Sequence, residues 1–572
     1  MVPILVLCVL IFSIIGFFLF KQNLKASKPA HGPPILQQET STIDLRPAGI
    51  AKLQQLIRNG SDSLYQLQID SLVTEIPSGT IILKGIHAYP DSNRIQELLQ
   101  LRRLPDDVFE ISAGSLRISG ITLGDLLHER RIHLNGIECL SPDIKVWHRL
   151  QAFNADKRER AKGQSIYSRI HQLIDGISID SLSILHGNLY DLSMGSTRIY
   201  KDISVLLHKI RIDSVADADS SRFLFAKHAI LKAGKMMLAS KDSRYDLSIG
   251  GISIDGEAHE LNIHDLSLMP HNGKDAMEQQ LKRQSEIFEI KVPQLSFKGI
   301  NWWATVHRES LLTKQITATD ASIYVYLDKR KPARSVSNKK DFPQQLLMGL
   351  GLPVSVETLT LKNAGFVYEE YTKKTDKQSS FRISQINATA NGITNMKRAI
   401  AANPLSHFRA RGIFMDITPI DGEFVFELSP AKRGAFSAML KIGQIEHEEV
   451  NPFSEAMGMI RFTDGQLQQA VVMCAGNNDN IHGSIAPEYT KLRIAPLKAV
   501  VNAEGKQRKR ELISLVANAF VIKHDNPGLG GAKRVSTFSR DRSTEGNFFN
   551  FMWMSIKSGF LKNVGIPVKL GM

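Results

Sequence analysis

The chain has 572 residues, of which 43% are hydrophobic and 22% charged, and its formal net charge is +14. This composition is typical of a folded protein and excludes wholesale disorder, while the length allows several compact domains or one long repetitive domain. The three cysteines, Cys8, Cys139 and Cys474, lie far apart, so their spacing indicates neither a disulfide framework nor a metal site.

The first predicted element is a membrane anchor over residues 2–20, an uncharged apolar run that ends at Lys21. A run of this length at helical rise is just enough to cross a hydrocarbon core of ~30 Å. A cleaved signal peptide is the alternative. The run is long for a signal peptide, no basic residue precedes it and no small-residue cleavage site follows it. We therefore expect an uncleaved single span, followed by an extended linker over residues 21–40.

The orientation of this span is left open by its flanking charges. Lys21, Lys25 and Lys28 follow it, and a positive-inside count would place the bulk of the chain in the cytoplasm. That signal is weak because only Met1 precedes the span.

A short apolar pattern, φ-x-φ-x-x-φ-x-φ with φ an apolar residue, recurs along much of the chain. Each half alternates with period two and predicts a strand with one apolar face. The extra central residue requires a bulge or bend if both halves are to share that face. The sequence thus predicts a mostly β fold, an elongated, curled antiparallel sheet (a β-groove) with few short helices. Full copies begin at Leu116, Ile177, Leu247, Leu261, Ile290, Ile316 and Val354.

The organisation predicted along the chain has three parts after the linker. A repetitive β region covers residues 41–328, a basic loop covers 329–341 and a further β region covers 342–545. Helices interrupt the strands. They are expected at residues 91–104, 146–174, 274–288, 342–350 and 508–520.

The final segment, residues 546–572, contains a predicted amphipathic helix over 547–565 with Phe549, Met552, Ile556, Phe560 and Val564 near one face. We expect this helix to cap the end of the sheet. The alternative is an interfacial helix. Its membrane-contact candidates are Phe549, Trp553 and Phe560.

A search for catalytic chemistry predicts no catalytic, cofactor or metal site and therefore no enzyme. His128-Glu129 and His447-Glu448 lack the second histidine of a zinc motif, and no phosphate-binding loop or nucleophile elbow is present. The basic runs lack interleaved aromatic residues, which predicts solvated surface and no nucleic-acid partner.

Two stretches carry a family resemblance. Residues 290–330 read as a strand, a turn, a short helix and paired strands that end in Ile323-Tyr324-Val325-Tyr326, and residues 451–465 contain Asn451-Pro452-Phe453 and Asp464-Gly465. This arrangement resembles the C-terminal region of AsmA-like envelope proteins of Gram-negative bacteria, particularly a subgroup common in Bacteroidetes-type genomes. The resemblance is strongest over residues 285–570 and only architectural before them.

The resemblance implies a single-pass inner-membrane protein whose bulk lies in the periplasm and whose β-groove carries phospholipid between membranes. The large family members are much longer, so a single copy of this chain is not expected to bridge the envelope. The net positive charge suits work beside anionic phospholipid surfaces.

The favoured interpretation is therefore an apolar groove in contact with phospholipid, in phospholipid transport or outer-membrane homeostasis. The alternative is an envelope scaffold or outer-membrane assembly factor without lipid cargo, with two sheets packed in a dry core. Both need the same alternation, so the sequence does not separate them. The groove candidates are Ile118, Ile121, Ile179, Leu182, Ile252, Ile254, Ile263, Leu266, Val292, Leu295, Val356 and Leu359.

Overall fold

A computed structural model describes residues 46–75, 78–120, 131–156, 175–193, 196–239, 244–307, 310–333, 341–372, 377–429, 433–458, 460–501, 507–512, 522–543 and 547–566. Of these residues, 58% lie in strands and 18% in helices, which confirms the mostly β fold. The predicted anchor and linker lie outside the described residues. No helix within the described ranges has both the length and the apolar character needed to cross a bilayer.

The elements up to Pro270 are mostly strands. The helices are α1 (Arg46–Gly60) and α2 (Ser92–Gln100), with short 3₁₀ turns at Ala152–Asn154 and Ala216–Ala218. The strands are β1 (Tyr65–Glu75), β2 (Thr80–Pro90), β3 (Asp107–Ser119), β4 (Arg131–Leu140), β5 (Asp143–His148), β6 (Gly176–Ser193), β7 (Ser196–Ile212), β8 (His228–Ala233), β9 (Met236–Ala239), β10 (Tyr245–Ile249), β11 (Gly251–Asp255) and β12 (Glu260–Pro270).

The later elements contain longer strands and more helices. The helices are α3 (Lys274–Gln280), α4 (Trp302–His307), α5 (Pro343–Met348), α6 (Lys397–Ala402), α7 (His447–Gly458) and α8 (Phe548–Val564). The strands are β13 (Ile287–Lys298), β14 (Leu311–Thr319), β15 (Ser322–Asp328), β16 (Val354–Thr372), β17 (Lys377–Thr394), β18 (Leu405–Phe414), β19 (Thr418–Glu427), β20 (Phe436–Ile442), β21 (Ile445–Glu446), β22 (Ile460–Gly476), β23 (Asn480–Val501), β24 (Gln507–Leu512) and β25 (Ser536–Asp541).

The chain divides into two compact units. The first comprises Met1–Ser243, Leu247–Ile263 and Val306–Arg308, and the second comprises Arg244–Asp246, His264–Thr305 and Glu309–Met572, with the structure describing the ranges given above. This division falls earlier in the sequence than the basic loop at 329–341.

Strand pairing in the first unit is mixed, which corrects the prediction of a purely antiparallel sheet. Strand β3 pairs antiparallel with β4 and then with β5. Strand β6 runs parallel to both β4 and β5, and β7 returns antiparallel to β6. One long strand thus spans two short consecutive strands.

The second unit contains the same arrangement. Strand β13 pairs antiparallel with β14 and β15, β16 runs parallel to both, and β17 returns antiparallel to β16. We call β3–β7 the first copy and β13–β17 the second copy. Their elements follow in the same order at a separation of about 180 positions.

Equivalent hydrogen bonds occur in both copies, two of them to tyrosines of preceding strands, Tyr65 of β1 and Tyr245 of β10. The Tyr65 hydroxyl accepts a hydrogen bond from the Phe109 amide at 3.1 Å, and the Tyr245 hydroxyl accepts one from the Phe288 amide at 3.2 Å. The Ser141 amide donates to the Leu185 carbonyl at 2.8 Å, and the corresponding Asp320 amide donates to the Lys362 carbonyl at 2.9 Å. The chain therefore contains an internal structural duplication.

In both copies, single residues are left out of the strand-to-strand register pairing. We call them skipped residues; they form a row across adjacent strands and mark the predicted bend. In the first copy Asn135, Asp180 and Lys209 fall at the same level of adjacent strands, between paired neighbours that keep one register, and Gly120 follows Ser119, the last residue of β3 that pairs with β4. Because β4, β6 and β7 each carry the extra residue at this level, the residues on both sides of it remain on one face. Ile177, Ile179, Leu182 and Ile184 of β6 are accordingly all buried, as the bend prediction requires. The equivalent row in the second copy is Gly299, Lys314, Glu357 and Gly392.

The predicted helices have mixed outcomes. The helix expected at 91–104 is α2, whose Asp91 side chain caps the amides of Asn93 and Arg94. Those expected at 274–288 and 342–350 are the shorter α3 and α5. The helix expected from residue 146 is wrong at its start, since Val146 lies in β5. The helix expected from residue 508 is also wrong at its start, since Gln507–Leu512 form β24.

The bend can be tested at two of its glycines. Gly120 has φ +83° and Gly299 has φ +67°, and a Cβ on either would lie 2.3 Å from Asn135 or 2.8 Å from Lys314. We expect Gly299→Ala to lower the free energy of unfolding by about 1–2 kcal/mol, because a side chain is strained in the left-handed region. Gly351→Ala is the control, since nothing lies within 4 Å of its added Cβ. Equal denaturant midpoints for the two variants would contradict this account.

Candidate functional site

Two rows of residues, apolar except for Ser536 at the end of the second, cross the sheet of the second unit. Each residue is the register partner of the next, so each row lies on one face of the sheet. The first ladder is Phe297, Ile316, Leu359, Ala390, Phe408, Phe424, Ala438, Cys474, Gly483 and Phe538. The second ladder is Leu295, Ala318, Leu361, Ala388, Ala410, Gly422, Leu440, Val472, Ile485 and Ser536.

Helix α8 covers one part of these ladders. Phe548, Phe551 and Met552 share a buried cluster with residues of β20, β22, β23 and β25, including Val472 and Phe538. The approach is close at Gly559, where a Cβ would lie 2.7 Å from Phe538 and 2.9 Å from Ile485. From β20 onward Ala438, Val472 and Phe538 are buried in this cluster, and Leu440 packs half-buried against it.

The same ladders are only partly covered between β13 and β19. Phe297, Ile316, Leu359, Phe408 and Phe424 are half-buried, whereas the small residues Ala318, Ala388 and Ala390 between them are buried. Large side chains thus stand along a floor of small ones. We call the part of the two ladders from β13 to β19 the open face.

The opposite side of these strands is polar. The register row between the two ladders, whose side chains face the other side of the sheet, consists of Ser296, Thr317, Thr360, Thr389 and Arg409. Cross-strand ion pairs continue on this side, with Arg411 at 2.7 Å from Asp421. The two sides of the sheet therefore differ in chemistry as the sequence pattern predicts.

The side chains at the equivalent positions of the first copy are fully buried. Leu116, Ile118 and Leu182 are 2%, 0% and 0% exposed, while their counterparts Leu295, Phe297 and Leu359 are half-buried. Strand topology is the same in both copies. The exposure of the open face is therefore a property of the second copy and does not follow from the repeat alone.

Further aromatic rings extend the apolar side of β16, β17 and β18. The Phe381 ring centroid lies 5.9 Å from that of Phe366, 5.5 Å from that of Tyr368 and 6.0 Å from that of Phe414. Such distances are typical of favourable aromatic pairs. The open face and these neighbouring rings together present an almost entirely hydrocarbon surface.

A buried polar cluster lies at the far end of β15 and β16. The Tyr368 hydroxyl donates to Glu370 at 2.7 Å, and the Lys329 ammonium lies 2.7 Å from the same carboxylate. Burial raises the pKa of Tyr368, and Glu370 raises it further, so the phenol stays protonated at neutral pH. Burial alone would raise the pKa of Asp328, but hydrogen bonds and charge from Arg330 outweigh it and lower the pKa. These groups are paired, which makes the cluster structural.

The described cysteines belong to the apolar interior. Cys139 lies in β4 beside Leu116 and Ile184, and Cys474 lies in the first ladder. Burial raises the pKa of the Cys139 thiol to about 12 and that of Cys474 to about 11. Neither thiol is therefore a reactive nucleophile. Within the described ranges no group of three or more His, Cys, Asp or Glu side chains could hold a metal ion.

The predicted groove residues fall into different environments. Ile118, Ile179, Leu182 and Val356 are buried, so a ligand has no surface to contact there. Ile121 lies outside the described residues. The remaining candidates, all half-buried, are Ile252, Ile254, Ile263, Leu266, Val292, Leu295 and Leu359.

The predicted membrane-contact residues also differ. Phe549 is 66% exposed and Trp553 is 36% exposed. Phe560 instead packs against the buried clusters around Phe538 and Tyr489. Helix α8 does cap the sheet, but its buried side is centred on Phe548, Phe551 and Met552, so the sequence spacing predicts the wrong face for Phe549.

Sequence reasoning missed the small floor of the open face. Ala388, Ala410 and Gly422 lie in β17, β18 and β19, and the eight-residue pattern does not include them. Register pairing was the missing signal, because it alone aligns these residues with Leu295 and Leu361. No protein-family model and no curated protein matches the chain.

The contrast between the copies gives a matched test. Leu182 and Leu359 occupy equivalent positions of β6 and β16, one fully buried and one half-buried. We expect Leu182→Ala to lower the free energy of unfolding by ~2–5 kcal/mol, as in a close-packed core. Leu359→Ala should cost clearly less, because part of the side chain is already in water. Urea unfolding of both variants measures this, and equal losses would mean that the second copy has a closed core as well.

Proposed function

We propose that the protein binds the acyl chains of phospholipids along the open face. The proposal rests on one observation: the two ladders are covered by other parts of the chain over only part of their length. Over β20–β25 the chain covers them with its own helix α8, whereas over β13–β19 their large side chains remain half-buried. Hydrophobic surface of this kind gains free energy when an apolar partner covers it.

The chemistry of the open face favours a hydrocarbon occupant. From β13 to β19 neither ladder contains a side-chain nitrogen or oxygen atom. A bound loop or strand would bring backbone amides and carbonyls that the face could not satisfy, at a cost of kilocalories per group. An acyl chain brings no such groups and gains ~0.8 kcal/mol for each methylene that it buries.

We further propose that the chain is held in the inner membrane by residues 2–20, lies mainly in the periplasm, and takes part in phospholipid transport or outer-membrane homeostasis. The apolar N-terminal run and the resemblance to AsmA-like proteins support this proposal. An envelope scaffold without lipid cargo is the second candidate. The fully buried positions of the first copy favour it for that part of the chain, so we restrict the lipid proposal to the open face.

A charge on the open face tests lipid binding. We expect Leu295→Asp to remain folded, because Leu295 is half-buried, and to lose bound phospholipid, because a carboxylate there resists burial against acyl chains. The measurement is lipid crosslinking from a photoreactive residue at position 359 of the full chain. Ser296→Asp is the matched control on the polar side and should crosslink as the wild type does. Leu116→Asp, at the buried equivalent, should unfold the first copy. A wild-type protein that never crosslinks lipid would favour the scaffold.

The topology proposal has its own test. Reporter fusions near residue 300 should be active with a periplasmic reporter and silent with a cytoplasmic one, since one uncleaved span separates this region from the N-terminus. The reverse pattern would mean that Lys21, Lys25 and Lys28 set a cytoplasmic orientation and that the family resemblance is misleading.

A further inference from the structure

An aromatic wall stands where the open face meets helix α8. The Phe548 ring centroid lies 4.9 Å from that of Phe436 and 5.1 Å from that of Phe342. All three side chains are buried. We call Phe342, Phe436 and Phe548 the aromatic wall.

The wall borders the last strand of the open face directly. Phe548 lies 6.3 Å from Phe424 and 5.9 Å from Phe426, both in β19 and both half-buried. Beyond the wall the ladders continue as Ala438 and Leu440 of β20, with Ala438 inside the cluster closed by α8. The rings therefore occupy the space into which an apolar ligand on the open face would otherwise extend.

Several contacts fix the wall in place. The Asn547 side chain accepts a hydrogen bond from the Asn550 amide at 2.9 Å and caps the start of α8. The Arg542 guanidinium lies 3.9 Å from the centre of the Phe342 ring. Gly559 allows the helix to approach the sheet closely. The wall is consequently part of a packed core and not a loosely held lid.

The length of the open face can be converted into the number of acyl carbons that fit before the wall. The ladders cross β13, β14, β16, β17, β18 and β19, and strands spaced at ~4.8 Å give a span of roughly 24 Å. An extended hydrocarbon advances about 1.2 Å per bond, as judged from backbone dimensions, so roughly twenty carbons fill this span.

We propose that the aromatic wall ends the acyl-chain site at β19 and sets the longest chain that the protein accommodates. This inference rests on the proposed binding of acyl chains to the open face. Phe548 is then a specificity-determining residue, because its ring packs near both Phe424 and Phe426 of β19.

The test measures binding of saturated phosphatidylglycerols, with chains of about 12 to about 24 carbons, to the full-length protein by native mass spectrometry and competition. For the wild type we expect affinity to rise with chain length and then to fall several-fold beyond about twenty carbons. Phe548→Ala should move this limit upward by roughly four carbons, the equivalent of one strand spacing. Phe548→Leu, which keeps more of the core contact, should fold in any case and move the limit by a smaller amount.

Two further variants separate an effect of the wall on the chain-length limit from a general loosening of the core. Phe549→Ala removes the adjacent ring, which is exposed, and should leave the limit unchanged. Ala410→Phe fills the half-buried floor one strand before β19 and should move the limit downward. If the wild type binds no chain of any length, the proposed function fails and the wall inference fails with it. If lipid binds but the limit does not move in the Phe548 variants, only the inference about the wall is wrong.

Discussion

The constraint on which the structure depends is that one face of every strand must stay apolar across a bend. A skipped residue in a single strand would turn its remaining side chains to the other face. Here the skip occurs at the same level in three adjacent strands, at Asn135, Asp180 and Lys209. Register is preserved, and the apolar face continues on both sides of the skipped residues.

The bend has a conformational cost that particular residues reduce. Gly120 and Gly299 adopt positive φ where a side chain would collide with the neighbouring strand. Lys209 also has positive φ, 53°, in the same row, and its ammonium lies 2.9 Å from Asp180 of the adjacent skip. The same skip occurs in both copies, so the bend belongs to the duplicated arrangement.

Much of the strand content and the one-sided apolar pattern could be predicted from the sequence, because alternation is a local property. The duplication was missed, since the short pattern repeats within each copy and hides the longer separation between Tyr65 and Tyr245. Parallel pairing of β6 and β16 was missed for a related reason: alternation does not specify strand direction. Helix α7 was missed because Pro452 lies inside it, and a proline within a helix argues against one.

The site could be predicted only in part, because exposure depends on what covers each face. Leu116 and Leu295 have the same local pattern, yet one is buried and the other half-buried. Nothing in the eight-residue pattern distinguishes them. The open face, its floor of small residues and the wall at Phe548 all arise from contacts between strands or from α8, which is more than a hundred residues later in the sequence than β19. An apolar pattern therefore predicts that a face should be covered, while tertiary packing decides whether the chain covers that face itself or leaves it partly exposed.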